Sequence, residues 1–214
     1  MASIEIQNAP KNLTMLEFRA VADDLGGPAK ACRFASVIRP VGNLLRQVPS
    51  WQSMTRDLIY LNEIAEMPGR GFMNMDVRYY GPSHKLPFQT SYEDLNMTYV
   101  CRSASLERQF FDDWMTVINP INTFDFNYRD DYRADIDIYQ YSDIGYQEAE
   151  AEYMITVHNA YPVMLSGQPL MWADQDIQKL IVSFTYSHWS RKGLDPVAAL
   201  GPLVRPRANS SPRQ

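Results

Sequence analysis

Three histidines are the side chains best suited to bind a metal ion or move a proton at neutral pH: His84, His158 and His188. None belongs to an HxH or HxxxH pattern, and the three are widely separated. His158 and His188 fall in predicted strands, so they could be neighbours in one sheet. A pair of strand histidines is more often packing than ligation. We therefore expect no metal site and no cofactor.

Pairs of acidic residues could serve as the two carboxylates of a glycoside hydrolase. The candidates are Asp112 with Asp113, Asp130 with Asp131, Asp135 with Asp137, and Asp174 with Asp176. Such chemistry also needs one carboxyl with a raised pKa in a cleft, which spacing alone does not reveal. Asp135 and Asp137 alternate with Ile136 and Ile138, so we expect both aspartates on a solvent-exposed face.

No recognised catalytic motif is present: the sequence has no GxSxG, no P-loop and no GxGxxG after a strand. The two cysteines, Cys32 and Cys101, lie far apart without CxxC spacing, which argues against a zinc site or a disulfide framework. Cys101 continues the alternation of buried positions in its segment and is expected to be a core thiol. We predict that the protein is not an enzyme and has no catalytic, cofactor-binding or metal-binding residues.

The overall charge of −5, from 20 basic and 25 acidic residues in 214, disfavours nucleic-acid binding by the surface as a whole. No segment has the about 18 consecutive apolar residues of a membrane helix, and the first ten residues lack the features of a signal peptide. Basic residues collect near the end among prolines: Arg191, Lys192, Arg205, Arg207 and Arg213. We expect this tail to be a solvated arm or to lie across a neighbour.

Hydrophobic periodicity predicts mostly strands with one confident helix. The predicted strands are 33–39, 57–64, 92–102, 125–128, 133–141, 153–160 and 178–189; residues 41–55 are a connector, and residues after Met67 form a long irregular loop. The helix, residues 105–118, has an apolar stripe of Leu106, Phe110, Trp114, Val117 and Ile118, with Ser103 or Ser105 as its cap.

These elements indicate a mainly β fold class with one flanking α-helix, a mostly antiparallel sandwich or barrel. The predicted organisation is an N-terminal arm over residues 1–30, a β domain over 31–190, and a basic, proline-containing tail over 191–214. The 13 tyrosines, 4 tryptophans and 11 methionines exceed what one core requires. Aromatic and methionine side chains are enriched at protein contacts, so the loop at residues 79–82 is a candidate interface.

A series of landmarks spread over residues 33–189 resembles the tail tube proteins of contractile-tailed bacteriophages, including the baseplate protein that initiates the tube. The landmarks are Arg33-Phe34 with Val37, Met67-Pro68-Gly69-Arg70, Tyr79-Tyr80-Gly81-Pro82, Tyr92 with Asp94-Leu95 and Met97-Thr98-Tyr99, Phe110-Phe111-Asp112-Asp113-Trp114, Ile118-Asn119-Pro120, Tyr128 with Tyr132, Ile136 with Ile138 and Gln140, Asn159-Ala160-Tyr161-Pro162, Leu170 with Trp172, and Leu180 with Val182, Phe184, Tyr186 and Trp189.

The resemblance implies a tail-tube-type β-sandwich or barrel that assembles into a hexameric ring, with sheets joined edge to edge and rings stacked into the inner tail tube. The implied partners are other copies of the chain, the tail sheath protein, a baseplate hub or tube initiator, and the tape measure protein and phage DNA in the lumen without sequence-specific binding. No membrane is implied. The implied location is the virion tail, after assembly in the host cytoplasm.

Four functions stay open at this point. The first is the major tube protein, the conduit for DNA ejection. The second is the baseplate tube initiator, which the arms outside the β domain would suit. The third is the tube of a type VI-like injection machine, and the fourth is a carbohydrate-acting β-sandwich that uses acidic pairs such as Asp135 and Asp137.

Overall fold

The computed structural model describes residues 30–78, 80–141, 151–172 and 176–192. Most of the secondary structure in these ranges is β, and the expected mainly β class with a flanking helix is confirmed. The elements in chain order are β1 (Phe34–Pro40), a short 3-10 helix (Leu45–Gln47), α1 (Pro49–Leu61), β2 (Asn62–Ala65), β3 (Gly71–Val77), β4 (His84–Ser91), β5 (Leu95–Val100), α2 (Leu106–Ile118), α3 (Arg129–Tyr132), β6 (Ala134–Tyr141), β7 (Ala151–Leu165), β8 (Lys179–Thr185) and β9 (His188–Arg191).

One curled antiparallel sheet forms the body, in the order β1-β6-β7-β8-β5-β2, with β9 also paired to β7. The long strand β7 joins its two halves: Ile155 lies opposite Ile138 of β6, and Pro162 lies opposite Phe184 of β8. Between these positions Asn159 has a φ of 56°, a left-handed conformation that asparagine tolerates better than most residues. The sheet bends there and folds over itself.

The curl brings the two outer strands together without closing the sheet by backbone pairing. The Asn62 side-chain amide of β2 donates a hydrogen bond to the Ser36 hydroxyl of β1. Both side chains are buried, so this contact pairs the Asn62 amide N–H inside the gap, while Asn62 Oδ1 has no hydrogen-bond partner among the described residues. The body is therefore an incompletely closed barrel.

The core fills the inside of this curl and follows the predicted alternation. Its fully buried side chains include Leu95, Met97, Tyr99, Ile136, Ile138, Leu180, Val182 and Phe184 from the strands, and Phe110, Phe111 and Trp114 from α2. The Trp114 ring lies 5.9 Å from that of Phe184, and its indole N–H donates to the Tyr132 carbonyl at 2.9 Å. The helix thus seals the barrel rather than lying loosely on it.

The expected connector at 41–55 and strand at 57–64 were wrong, because most of this stretch is the helix α1. Trp51, Met54 and Leu58 have helical spacing and are buried, and Pro49 occupies the first helical position, where its missing N–H costs nothing. The β-forming residues near its end were outweighed by packing of Trp51 against the Phe110 ring, with centroids 4.9 Å apart. A strand forms only at Asn62–Ala65, which overlaps the last three residues of the expected strand.

Three other predicted segments differ from the structure. The irregular loop after Met67 is the hairpin of β3 and β4. The expected strand at 125–128 is a loop, in which the Asn127 N–H donates to the Ile118 carbonyl at 3.0 Å. The expected strand at 178–189 divides into β8 and β9, while 133–141 and 153–160 are confirmed within β6 and β7.

Helix α2 is confirmed at Leu106–Ile118, but its start differs from the expected serine cap. Ser105 precedes it with a φ of 49° and makes no side-chain cap. Instead the buried Glu107 carboxylate accepts hydrogen bonds from the Arg102 backbone N–H at 3.1 Å and its guanidinium at 2.6 Å. Arg102 also contacts Asp57 at 2.8 Å, which ties α1 to the start of α2. Leu106 is largely exposed and lies outside the apolar stripe.

Candidate subunit interfaces

An ion pair with a buried carboxylate lies on the outer face of the sheet, where the sequence predicted a solvent-exposed aspartate. Asp137 is only 2% exposed, and its carboxylate accepts hydrogen bonds from the Arg39 guanidinium at 2.6 and 2.9 Å and from the Thr156 hydroxyl at 2.7 Å. The hydrogen bond that Arg39 donates to Asp137 raises the pKa of Arg39 above its usual value. The expectation that Asp137 faces solvent was wrong, because Arg39 lies across it and replaces water as its partner. This arrangement clamps β1, β6 and β7 together.

Asp135, on the same face, holds the bend of β7. It accepts a hydrogen bond from the Asn159 backbone N–H at 3.0 Å, and its other oxygen lies 3.7 Å from Nδ1 of His158. Because the Asn159 backbone N–H engages Asp135, and Arg39 and Thr156 engage Asp137, the geometry assigns both carboxylates structural contacts. It gives neither the free approach to a substrate that an acid–base pair requires.

His158 and His188 are neighbours across β7 and β9, as the sequence analysis suggested they could be. Their rings stack with centroids 4.7 Å apart, and Nε2 of His158 lies 2.7 Å from the Ser190 hydroxyl. His84 lies in β4, in a different sheet. Among residues 30–78, 80–141, 151–172 and 176–192, no group of three or more histidine, cysteine, aspartate or glutamate side chains is arranged to hold a metal ion.

The other acidic pairs also have separate partners. Asp112 lies 3.6 Å from Arg108, and Asp113 accepts a hydrogen bond from the Ser50 hydroxyl of α1. Asp130 pairs with Arg133 at 3.2 Å. Of the last pair, Asp174 lies outside the described residues, so that candidate is tested only at Asp176.

Cys101 is half-buried just beyond β5 rather than within the core. Its Sγ accepts a hydrogen bond from the Gln168 amide at 3.2 Å. Burial raises the pKa of the Cys101 thiol, which keeps it protonated and unreactive at neutral pH.

The two-stranded sheet of β3 and β4, which we call the projecting hairpin (residues 71–91), exposes several apolar side chains, including Met73, Met75 and Leu86. It extends the connection between β2 and β5, and all but one of its seven β3 residues are exposed. Met75 lies directly opposite Leu86, and Met73 and Val77 share their face. The opposite face carries Asn74 and the cross-strand pair of Asp76 and Lys85, together with Phe72 and Pro87. The face of Met73, Met75 and Leu86 is therefore the more apolar of the two, and no other described element covers it.

The alternation Met73, Met75, Val77 could have revealed this hairpin from the sequence. The signal was hidden by the breaks on either side, Pro68-Gly69 and Gly81-Pro82. Gly81 has a φ of 81° in the turn, which glycine adopts without strain. The prediction that residues 79–82 belong to an interface loop is not tested, and Tyr79 lies outside the described residues.

Two loops add further exposed apolar side chains. One follows β7 and carries Leu170, Met171, Trp172 and Ile177; the other follows α2 and carries Ile121, Phe124, Phe126 and Tyr128. Single exposed apolar residues are ordinary, but contiguous ones indicate contact surfaces.

A groove runs between the N-terminal end of α1 and the C-terminal end of α2, which we call the helix groove. Its volume is about 520 Å³. The lining is mainly apolar with one carboxylate, and consists of Leu44, Gln47, Val48, Pro49, Asp113, Thr116, Val117, Pro120 and Asn127. The exposed Phe124, Phe126 and Tyr128 lie in the loop that contains Asn127.

The family model described as "Phage tail tube protein" matches residues 32–192. The chain belongs to this family. A sequence search of curated proteins finds no match. No helix among the described residues is long and apolar enough to cross a membrane.

Solved structures of contractile injection systems share the fold. One is the sheath/tube terminator of the extracellular contractile injection system PVC in its extended state, with a TM-score of 0.55, 14% identity, and 78% of this chain and 99% of that chain covered. Another is the tube-terminating cap of the anti-feeding prophage, with a TM-score of 0.53, 15% identity, and 77% and 91% covered. A third is from the anti-feeding prophage baseplate, with a TM-score of 0.51, 14% identity, and 78% and 97% covered.

Proposed function

We propose that this protein forms hexameric rings that stack into the inner tube of a contractile phage tail, the conduit for DNA during ejection. Its role is assembly rather than catalysis. The other partners proposed are the tail sheath protein outside the tube, the tape measure protein and DNA inside it, and a baseplate hub or initiator at its end. Assembly takes place in the host cytoplasm, and residues 1–30 and 191–214 are arms on the tube domain.

The observation that carries this proposal is the projecting hairpin. A two-stranded hairpin alone is at best marginally stable in water, and this one exposes Phe72, Met73, Met75, Leu86 and Phe88 by half or more. Packing these side chains against another subunit removes apolar surface from water. An assembly of identical subunits supplies that second surface for every copy.

Open sheet edges support ring formation. Among the described strands, β9 pairs only with β7, so its other edge has no backbone partner, whereas the edges of β1 and β2 face each other. Unpaired edges favour addition of another strand, and a closed ring of subunits removes them. Repeating one heterologous contact with a closing rotation gives a ring, and stacking rings gives an open-ended tube.

The charge of the protein suits a conduit for DNA. The net charge of −5 gives no overall attraction for a polyanion. On the outer face of the sheet Arg39 is paired with Asp137 at 2.6 Å, and Lys179 with Glu63 at 2.7 Å. Paired cations bind phosphate less strongly than free ones, which favours sliding over retention.

A pair of variants tests the role of the hairpin in assembly. Replacing Met75 and Leu86 with glutamate places two like charges opposite each other on the apolar face. We expect this variant to remain folded but to lose tubes in negative-stain electron microscopy, because the charges oppose burial at the subunit contact. Its matched control replaces Asn74 and Lys85 with glutamate, on the opposite face of the same hairpin.

Normal tubes from the Met75→Glu/Leu86→Glu variant would refute the hairpin contact. Circular dichroism and thermal unfolding of both variants separate loss of assembly from loss of folding. Equal loss of tubes in the two variants would also contradict the claim, because it would show that hairpin charge, rather than the apolar face, controls assembly.

The baseplate tube initiator is the other tube-family function. The solved structures that share the fold include both a baseplate and a tube complex, at TM-scores of 0.51 and 0.50. Copy number in the particle distinguishes the two: a large multiple of six for the tube, and six for an initiator. We favour the tube because one tube domain accounts for all the described elements.

A further inference from the structure

We infer that the helix groove binds the basic, proline-containing tail of this same chain, at residues 202–207. This segment reads Pro202-Leu203-Val204-Arg205-Pro206-Arg207. It lies beyond the described residues, so the inference rests on the groove and on the composition of the tail. The inference is independent of ring assembly.

The chemistry of the groove matches this segment. Its walls are apolar, from Leu44, Val48, Pro49, Val117 and Pro120. Aromatic side chains stand exposed at one side in the 121–128 loop. Proline-rich peptides bind to apolar grooves with aromatic borders, because the extended proline segment loses little conformational entropy on binding. Pro202, Leu203 and Pro206 supply the apolar groups for such a contact.

Charge complementarity supports the contact with the helix groove. Asp113 is the charged residue in its described lining. Its carboxylate attracts the Arg205 and Arg207 guanidinium groups. A second groove, of about 660 Å³, has Lys30 and Arg33 in its described lining and offers no carboxylate among those described residues.

The length of the tail permits the contact. Strand β9 ends at Arg191, and Pro202 lies ten positions after Lys192. Ten residues of extended chain span up to about 34 Å. A domain of this size has a radius of gyration of about 15 Å, so a tail of this length can extend across much of its own subunit.

Photocrosslinking of the full chain tests this inference. A benzophenone amino acid at Thr116, an exposed position in the helix groove, is irradiated, and the crosslinked peptides are identified by mass spectrometry. The same probe at Tyr60, which lines the second groove, is the matched control. We expect the Thr116 probe to crosslink to residues 202–207 and the Tyr60 probe not to do so.

Charge variants in the tail provide the second measurement. These positions lie outside the folded elements described, so their substitution leaves the groove itself unchanged. We expect Arg205→Glu with Arg207→Glu to lower the Thr116 crosslink to the tail by about fivefold or more, because like charges then face each other across the contact. Arg213→Glu, which alters charge outside the proposed segment, should leave the yield within about twofold.

Several outcomes would overturn the inference. These are crosslinks from Thr116 to the projecting hairpin of another copy, crosslinks to no part of the tail, or equal crosslinking from Thr116 and Tyr60. A yield unchanged by Arg205→Glu with Arg207→Glu would do the same. Electron microscopy of the same samples measures tube assembly separately. If the wild-type protein forms tubes but shows no crosslink between the groove and the tail, that result contradicts this inference and leaves the proposed function intact.

Discussion

Tyr99 places a phenol at the centre of the core, fully buried between strands and helix. Its hydroxyl lies 3.2 Å from the Met97 sulfur, and burial raises its pKa well above the usual value near 10. The folded state therefore binds the phenolic proton more tightly than the unfolded state does. The stability that depends on this proton is present below pH 10 and is lost as the pH rises above it.

Tyr99→Phe tests this linkage. At pH 8 the variant should be less stable by about 1 kcal/mol, because it loses a buried hydrogen bond. Between pH 10 and pH 11 the difference should shrink, since the wild-type protein alone must keep this phenol protonated. Urea unfolding of both proteins at each pH measures the difference. A gap that stays constant or widens above pH 10 would be inconsistent with the buried phenol.

Asp137 shows what the alternation of apolar and polar residues can and cannot predict about a single side chain. Period-2 patterning placed Asp137 correctly on the face opposite Ile136 and Ile138. It could not place Arg39, which lies almost a hundred residues earlier and covers the carboxylate through pairing of β1 with β6. Local sequence thus gives the side of a strand, while burial on that side depends on long-range contacts.

Helix α2 buries more apolar side chains than any other helix described. Trp114 is fully buried, whereas Leu106 in its first turn is 40% exposed. We expect Trp114→Ala to lower the free energy of unfolding by about 3 to 5 kcal/mol. Leu106→Ala, the matched control, should cost less than about 1 kcal/mol. Chemical denaturation measures both, and similar costs at the two sites would contradict the assigned face of the helix.

The elements that were predicted correctly have a strong hydrophobic periodicity in their own sequence, whereas the others depend on tertiary packing. β6 and α2 each show one uninterrupted pattern. In α1 the pattern of Trp51, Met54 and Leu58 is helical, but the adjoining Ile59 and Tyr60 favour strands, and tertiary contacts with Phe110 decide the outcome. In the projecting hairpin the apolar residues face away from the core, so the usual link between periodicity and burial does not apply.

At the scale of the whole molecule, the surfaces left uncovered are those that an assembly would use. The family of the chain could be recognised from landmarks between Arg33 and Trp189, and the family model spans residues 32–192. The contact surfaces themselves could not be located from sequence, because exposed apolar residues and core residues have the same composition. Their exposure in a folded subunit is what distinguishes them.

The rotational symmetry of the assembled protein tests the central claim most directly. Purified full-length protein is imaged by electron microscopy, and end-on views are averaged without imposed symmetry. We expect sixfold rings with a central channel, together with side views of stacked rings. A protein that remains monomeric at high concentration, or rings of another symmetry, would contradict the proposal that this chain builds a hexameric tail tube.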